Sequence, residues 1–283
     1  MTSTFTLTLS CPERPGIVHA VTAFLFAQGC DIVEHQQFDD TTRDTFFLRT
    51  EFVSVHDPDA AELSAAFGRE VAEEFGMTFT LDHDRPQRAL VMVSRMGHCL
   101  NDLIFRWRAG SLRTELAAVV SNHEDLRPMA EAADLPFIHV PVTADTKSAA
   151  ERRLIEIVEE HDVDFVVLAR YMQVLSDGLC RGLHGRAINI HHSFLPGFKG
   201  AKPYHQAYDR GVKLVGATAH YVTPELDEGP IIEQEVIRID HTFDPRSLAT
   251  VGRDAEALAL SRAVRWHSER RVLLYGRSTV VFR

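Results

Sequence analysis

Ala89-Leu90-Val91-Met92-Val93 is an unbroken apolar run, followed by the polar turn Ser94-Arg95-Met96-Gly97-His98 and a helical stretch from Leu100 to Ala109. A strand with one face in water alternates, whereas a strand that is apolar at every position is covered on both faces. The pattern recurs at Leu116-Ala117-Ala118-Val119-Val120, at Phe137-Ile138-His139-Val140 and at Phe165-Val166-Val167-Leu168. A long helical stretch, Lys147 to Glu160, separates the last two. Apolar strands alternating with helices predict an α/β fold with a Rossmann-like, mostly parallel sheet covered on both sides. In such sheets ligands bind beyond the carboxyl ends of the strands.

Downstream, Arg186-Ala187-Ile188-Asn189-Ile190-His191 alternates as a strand does. A short helix near Tyr204 to Arg210, strands around Ala217 to Val222 and Ile231 to Ile239, and a long helix from Pro245 to Glu269 complete this part. Upstream, the pattern changes. Thr4 to Leu9 alternates, Ile17 to Gln28 has helical spacing and stops at Gly29, and strands Asp31 to Phe38 and Thr45 to Val53 follow. A helix from about Asp59 to Phe75 stops at Gly76, and Met77 to Leu81 is a last strand. The order βαββαβ is a ferredoxin-like layout with an antiparallel sheet. The polar, proline-containing segment Asp82 to Arg88 reads as a boundary. Two domains are therefore expected, 1–84 and 85–283.

The chain has 283 residues, 45% of them hydrophobic and 25% charged, which suits a globular protein. Its formal net charge of −10 argues against nucleic acid or an anionic membrane surface as a partner. No apolar run approaches the ~20 residues that span a bilayer. The N-terminus lacks the basic and apolar regions of a secretory signal, and Cys11, Cys30, Cys99 and Cys180 are scattered. A reduced, cytoplasmic protein is expected. No His-Glu-x-x-His and no zinc-type Cys/His spacing occurs, so no metal is expected.

Asn189 and His191 are two residues apart on a strand and so share a face. Asp227 lies in a second polar turn, Pro224-Glu225-Leu226-Asp227-Glu228-Gly229-Pro230. By itself an Asp before Gly is turn chemistry, and an Asn-x-His can be a mere strand end. Together an amide donor, an imidazole and a carboxylate can polarise a carbonyl and manage one proton. The segment His192 to Tyr204 is rich in Gly and Pro but carries Phe194, Leu195 and Phe198, which suits a shaped binding loop with buried anchors. His220, on the strand leading into the Asp227 turn, is either a core histidine or a wall of the same pocket. Arg170-Tyr171-Met172-Gln173-Val174-Leu175 reads as a helix start packed on the core or as an apolar slot for a flat heteroaromatic ring. The turn at Gly97 has one glycine and is a poor phosphate cradle.

The segments Ile188 to Pro196 and Leu226 to Ile232 resemble the active-site signature of the folate-dependent formyltransferase family. Cys11-Pro12-Glu13-Arg14-Pro15-Gly16-Ile17-Val18 is similar to the first turn of an ACT domain, with Glu13 where Asp is common. Gly97 to Leu103 and Asn189 through Tyr204 are similar to those members that join an ACT domain to this fold and hydrolyse 10-formyltetrahydrofolate. The resemblance implies an ACT domain at 1–84, a module that often senses an amino acid, and a formyltransferase-fold domain at 85–283. It implies Asn189, His191 and Asp227 as catalytic residues. Arg170, Met172, Gln173, Val174, Leu175, His220, Glu225 and Gly229 would bind the substrate, with no cofactor, since folate is itself the substrate. It further implies formate production for purine synthesis and a homo-oligomer, dimer or tetramer. A transferase acting on a small amine acceptor and a non-catalytic folate or amino-acid sensor are the alternatives. The poor phosphate cradle and the acidic chain favour water as the acceptor.

Overall fold

The computed structural model describes residues 3–54, 56, 58–196 and 203–283. The chain forms two units: 1–85 with 270–273 and 280–283, and 86–269 with 274–279.

The first unit contains β1 (Ser3–Pro12), α1 (Ile17–Ala27), β2 (Cys30–Asp40), β3 (Thr45–Ser54), α2 (Ala60–Phe67), a π turn (Gly68–Ala72), α3 (Glu73–Phe75) and β4 (Thr78–His83). The strands form an antiparallel sheet in the order β2-β3-β1-β4, as the ferredoxin-like reading requires. Phe5, Leu7, Leu9 and Cys11 alternate along β1 and pack with Val21, Phe24, Leu25, Phe67 and Phe75 in one core. Gly29 and Gly76 end their helices with φ of 69° and 63°, the left-handed conformation that glycine adopts without penalty. The helix expected from Asp59 to Phe75 begins as read, with the Asp59 carboxylate accepting from Ala61 N and Glu62 N at 2.8 and 3.0 Å. It is interrupted by the π turn, across which Phe67, Val71 and Phe75 all stay buried. Residues 270–273 and 280–283, expected in the second domain, fall in this unit, where Arg271 pairs with Glu34 at 2.8 Å.

The second unit has β5 (Gln87–Val93), α4 (His98–Arg108), β6 (Thr114–Ser121), α5 (Arg127–Glu131), β7 (Phe137–His139), α6 (Lys147–Glu160) and β8 (Phe165–Leu168). Then come α7 (Asp177–Gly182), β9 (Ala187–His191), α8 (Pro203–Asp209), β10 (Leu214–Tyr221), β11 (Ile231–Arg238) and α9 (Pro245–Ser268). A terminal hairpin, β12 (Val272–Tyr275) and β13 (Ser278–Val281), was not expected from the sequence. The seven-stranded sheet runs β11-β10-β9-β8-β5-β6-β7. Strands β5 to β9 are parallel to one another, and β10 is antiparallel to both β9 and β11. Residues 89–93 and 165–168 are buried throughout, as unbroken apolar strands between two helical layers must be. On one face Leu90, Met92, Val120, Leu154, Ile157, Val166 and Leu168 form the core. Helix α9 buries Ala255, Ala259, Leu260, Ala263 and Val264 and lies against α4, β9, β10 and β11.

Strand order fixes where the site must be. From β5 the chain builds outward through β6 and β7, then returns to place β8 on the other side of β5. The crevice of an open α/β sheet lies at such a reversal, outside the carboxyl ends of the strands. Ser94 follows β5 there, Arg170 follows β8, and Asn189 and His191 end β9.

Candidate active site

A cavity of about 440 Å³ lies wholly within the second unit at that edge. Its walls are the segment after β8, the end of β9, the end of β10 and the turn between β10 and β11. Of the residues expected from the sequence, Asn189, His191, Asp227, Arg170, Met172, Gln173, Val174, Leu175, His220 and Glu225 line it. Gly229 does not. A Cβ on Gly229 would stand 1.7 Å from the Tyr221 carbonyl oxygen and 3.2 Å from His220 Nδ1, so its task is close approach of two backbones. Tyr171, within the expected slot, lines the cavity too, and so does His192, which had been read only as part of the loop.

Strand pairing brings the polar groups together. In the β9–β10 ladder Asn189 stands opposite His220 and His191 opposite Thr218. His220 Nδ1 lies 2.9 Å from the Tyr221 carbonyl oxygen, which can only accept, so Nδ1 carries the proton. Burial lowers the pKa of His220, which keeps the ring neutral and leaves Nε2 as an acceptor. Asn189 Nδ2 donates to that Nε2 at 3.2 Å. The amide is thereby fixed in orientation, with one N–H still to give.

His191 is buried, and its Nδ1 lies 3.2 Å from Asp227 Oδ1. A carboxylate accepts, so Nδ1–H donates, and the ring is aimed by its partner. The other nitrogen, Nε2, is buried and has no hydrogen bond within the protein. Burial pushes the Asp227 carboxyl up, but the hydrogen bond and charge of His191, aided by His220 and His192, outweigh it and hold the pKa below the ordinary value. Asp227 sits at φ 57°, a left-handed conformation uncommon outside glycine. The turn thus presents its carboxylate towards two imidazoles.

The segment Arg170 to Leu175 is irregular, and Met172 is 58% exposed while Leu175 is buried. That favours the slot over the helix start. Ser94 Oγ accepts from Met172 N at 3.0 Å, Met92 O accepts from Ala169 N at 2.8 Å, and Glu151 accepts from Ser176 N at 2.7 Å. Of the loop His192 to Tyr204, Leu195 is buried and the Leu195–Pro196 peptide is cis. Phe194, expected as a buried anchor, is 42% exposed, and Phe198 lies outside the described residues.

Among the described residues one group combines metal-ligand types at short range: His98, Cys99 and Glu256, whose ligand atoms lie within 4.8 Å of one another. The Glu256 carboxylate already meets His98 Nε2 at 2.8 Å and Arg170 Nε at 3.3 Å. Burial, then the charge of Glu256, drives the Cys99 thiol well above its ordinary pKa, and a guanidinium beside the carboxylate opposes a divalent ion. Glu256 is 2% exposed and was not singled out in the sequence. The available signal is an acidic residue inside the apolar stripe of α9, beside Ala255 and one turn before Ala259 and Leu260.

Residues 87–264 match the family model described as formyl transferase. A formyltetrahydrofolate deformylase of Corynebacterium sp. (strain P-1) is 53% identical over 98% of this chain and 97% of its own length. The crystal structure of a formyltetrahydrofolate deformylase from Pseudomonas syringae pv. tomato superposes with a TM-score of 0.95 at 45% identity, covering 100% of this chain and 95% of that one. Another, from Burkholderia mallei, gives 0.93 at 50% identity over 99% of this chain and 100% of that one.

Proposed function

The chain belongs to the formyltetrahydrofolate deformylase family, and we propose that Asn189, His191 and Asp227 are the groups with which it hydrolyses 10-formyltetrahydrofolate to formate and tetrahydrofolate. The observation that carries the assignment is the His191 Nδ1–Asp227 Oδ1 contact of 3.2 Å beside an Asn189 amide held by neutral His220. These groups face one cavity.

The formyl group is an amide carbon on N10. Asp227, held as carboxylate, orients a water and accepts its proton as the oxygen attacks the formyl carbon. The free N–H of Asn189 and Nε2–H of protonated His191 donate to the developing oxyanion. When the tetrahedral adduct collapses, the C–N10 bond breaks and the His191 proton passes to N10. Formic acid ionises and leaves as formate with tetrahydrofolate, and solvent takes the proton from Asp227 and restores the one on His191 Nε2. No cofactor enters this scheme. The 170–175 segment, with Glu225 and the turn around it, cradles the pterin. Met172 and Val174 supply exposed apolar surface for a flat ring, and Arg170 and Gln173 supply polar edges.

The same reading makes the first unit a sensor of an amino-acid effector and an oligomerisation module, and it places the protein in the cytoplasm as a source of formate for purine synthesis. No described helix is long and apolar enough to cross a membrane.

Purified protein incubated with 10-formyltetrahydrofolate, without and then with glycinamide ribonucleotide, tests the choice of acceptor. Free formate without any acceptor is expected. Tetrahydrofolate appearing only with the amine, and no free formate, would make the chain a transferase. Asp227→Asn is expected to bind folate and lose most turnover, and a nearly unchanged kcat would remove Asp227 from the scheme.

A further inference from the structure

Arg170 is a non-glycine residue at φ 66°, a conformation that costs roughly 1–2 kcal/mol and persists only where the surroundings impose it. Its backbone neighbours are tied down by Met92 O and Ser94 Oγ. Its side chain, 13% exposed, turns away from solvent to Glu256 of α9. A carboxylate that is 2% exposed is costly unless its charge is paired, and here His98 Nε2 at 2.8 Å and Arg170 Nε at 3.3 Å flank Glu256 Oε2. Neither His98 nor Glu256 lines the cavity. Among the described residues, the array His98–Glu256–Arg170 reaches the cavity through Arg170, the first residue of its ring-binding wall.

We infer that Glu256 is a positioning residue for substrate binding: its buried carboxylate fixes Arg170, and through Arg170 the 170–175 wall, in the shape that receives the ring system. This rests on the reading of that wall as the pterin cradle. The electrostatics agree. Beyond burial, the charge of Arg170 lowers the pKa of cavity-lining His192 and the charge of Glu256 opposes it, so the pair is within reach of the cavity's own titratable groups.

Glu256→Gln keeps the shape and deletes the charge, leaving the Arg170 cation without its counter-ion. Steady-state kinetics with 10-formyltetrahydrofolate should show KM raised about tenfold with kcat within about threefold, because binding is lost equally from ground state and transition state. Glu256→Asp, which retains the charge, should lie closer to the wild type. An unchanged KM in E256Q, a fall confined to kcat, or E256D no better than E256Q would overturn the inference. If E256Q does not fold, His98→Gln decides. It removes the outer partner of Glu256 from a partly exposed position and should raise KM about threefold in the same direction, with no change overturning the inference. Val174→Asp, on the wall and apart from the array, separates the two readings. V174D raising KM with E256Q silent overturns the inference alone, whereas a silent V174D overturns the cradle on which it rests.

Discussion

Asn189 carries two amide protons, and one of them goes to His220 Nε2. The other is the oxyanion donor in the scheme above, so Asn189→Ala should lower kcat by about 10²–10³ while the fold persists. A kcat within about threefold of wild type would show that the oxyanion is held elsewhere. His192 carries a pH signature. Burial, with the charges of Arg170 and His191, lowers its pKa to about 4, against 6.5 for an unhindered histidine. Between those values the unfolded chain binds the proton and the folded chain does not. This contribution to stability is therefore present above about pH 6.5 and is lost as the pH falls towards 4. Denaturant midpoints of His192→Gln should fall less over that window than those of the wild type, His220 adding to the same slope in both. Parallel curves would mean that His192 titrates alike in the folded and the unfolded chain. The sequence disclosed Asn189 and His191 as a pair because strand periodicity puts i and i+2 on one face. It did not disclose why Asp227 reaches them, since that depends on the β9–β10 register, in which Asn189 meets His220. Glu256 stayed hidden because its partners, His98 and Arg170, lie 158 and 86 residues away in sequence, and nothing local in α9 points to them.

At the scale of elements, the unbroken apolar strands β5, β6 and β8 were legible because burial on both faces leaves a compositional trace. The short helices α5 and α7 were not, being five and six residues long with too few turns to show a period. Segment 170–175 was ambiguous for a related reason. Its apolar residues match helical spacing, and the structure holds it irregular through tertiary hydrogen bonds accepted by Ser94, Met92 and Glu151 at and beside it. The β10–β11 turn was read for its carboxylate, while its tight point is Gly229. Any Cβ there lands on the Tyr221 carbonyl, so Gly229→Ala must push the turn away from β10. Overpacking of this kind costs about 1–3 kcal/mol. The displaced Asp227 and His220 should lower kcat/KM by about tenfold or more, since a shift near 1 Å in a catalytic group is felt at that level. Gly182→Ala is the control: its Cβ meets nothing within 4 Å, and stability should stay within about 0.5 kcal/mol. Equal behaviour of the two variants in kinetics and urea melts would refute the close-approach argument.

For the whole molecule, the chain forms two units but does not divide once. Residues 270–273 and 280–283 belong with the first unit, and an ion-pair network ties Arg271 to it. Glu34 of β2 accepts from Arg271 through both oxygens, at 3.2 and 2.8 Å, and from Arg49 at 2.6 Å. Arg49 is 2% exposed and also meets Glu51 at 3.1 Å. Burial raises the Glu34 pKa, yet the two arginines together bring it below the ordinary value, so the carboxylate form contributes to stability above its unfolded pKa and the contribution fades in acid. Composition could not foretell this, because a pair of arginines, Arg270 and Arg271, after a long helix reads as a solvated end. Arg271→Ala deletes a two-pronged pair at a partly buried site, worth about 1 kcal/mol. Since β2 is an edge strand joined only to β3, the loss should appear there first. Amide hydrogen exchange in the R271A variant should quicken across Cys30–Asp40 and leave Phe165–Leu168 and Ala187–His191 unchanged. Equal acceleration in all three strands would show that the two cores open as one cooperative body, and no acceleration in β2 would show that Arg49 alone suffices to hold Glu34.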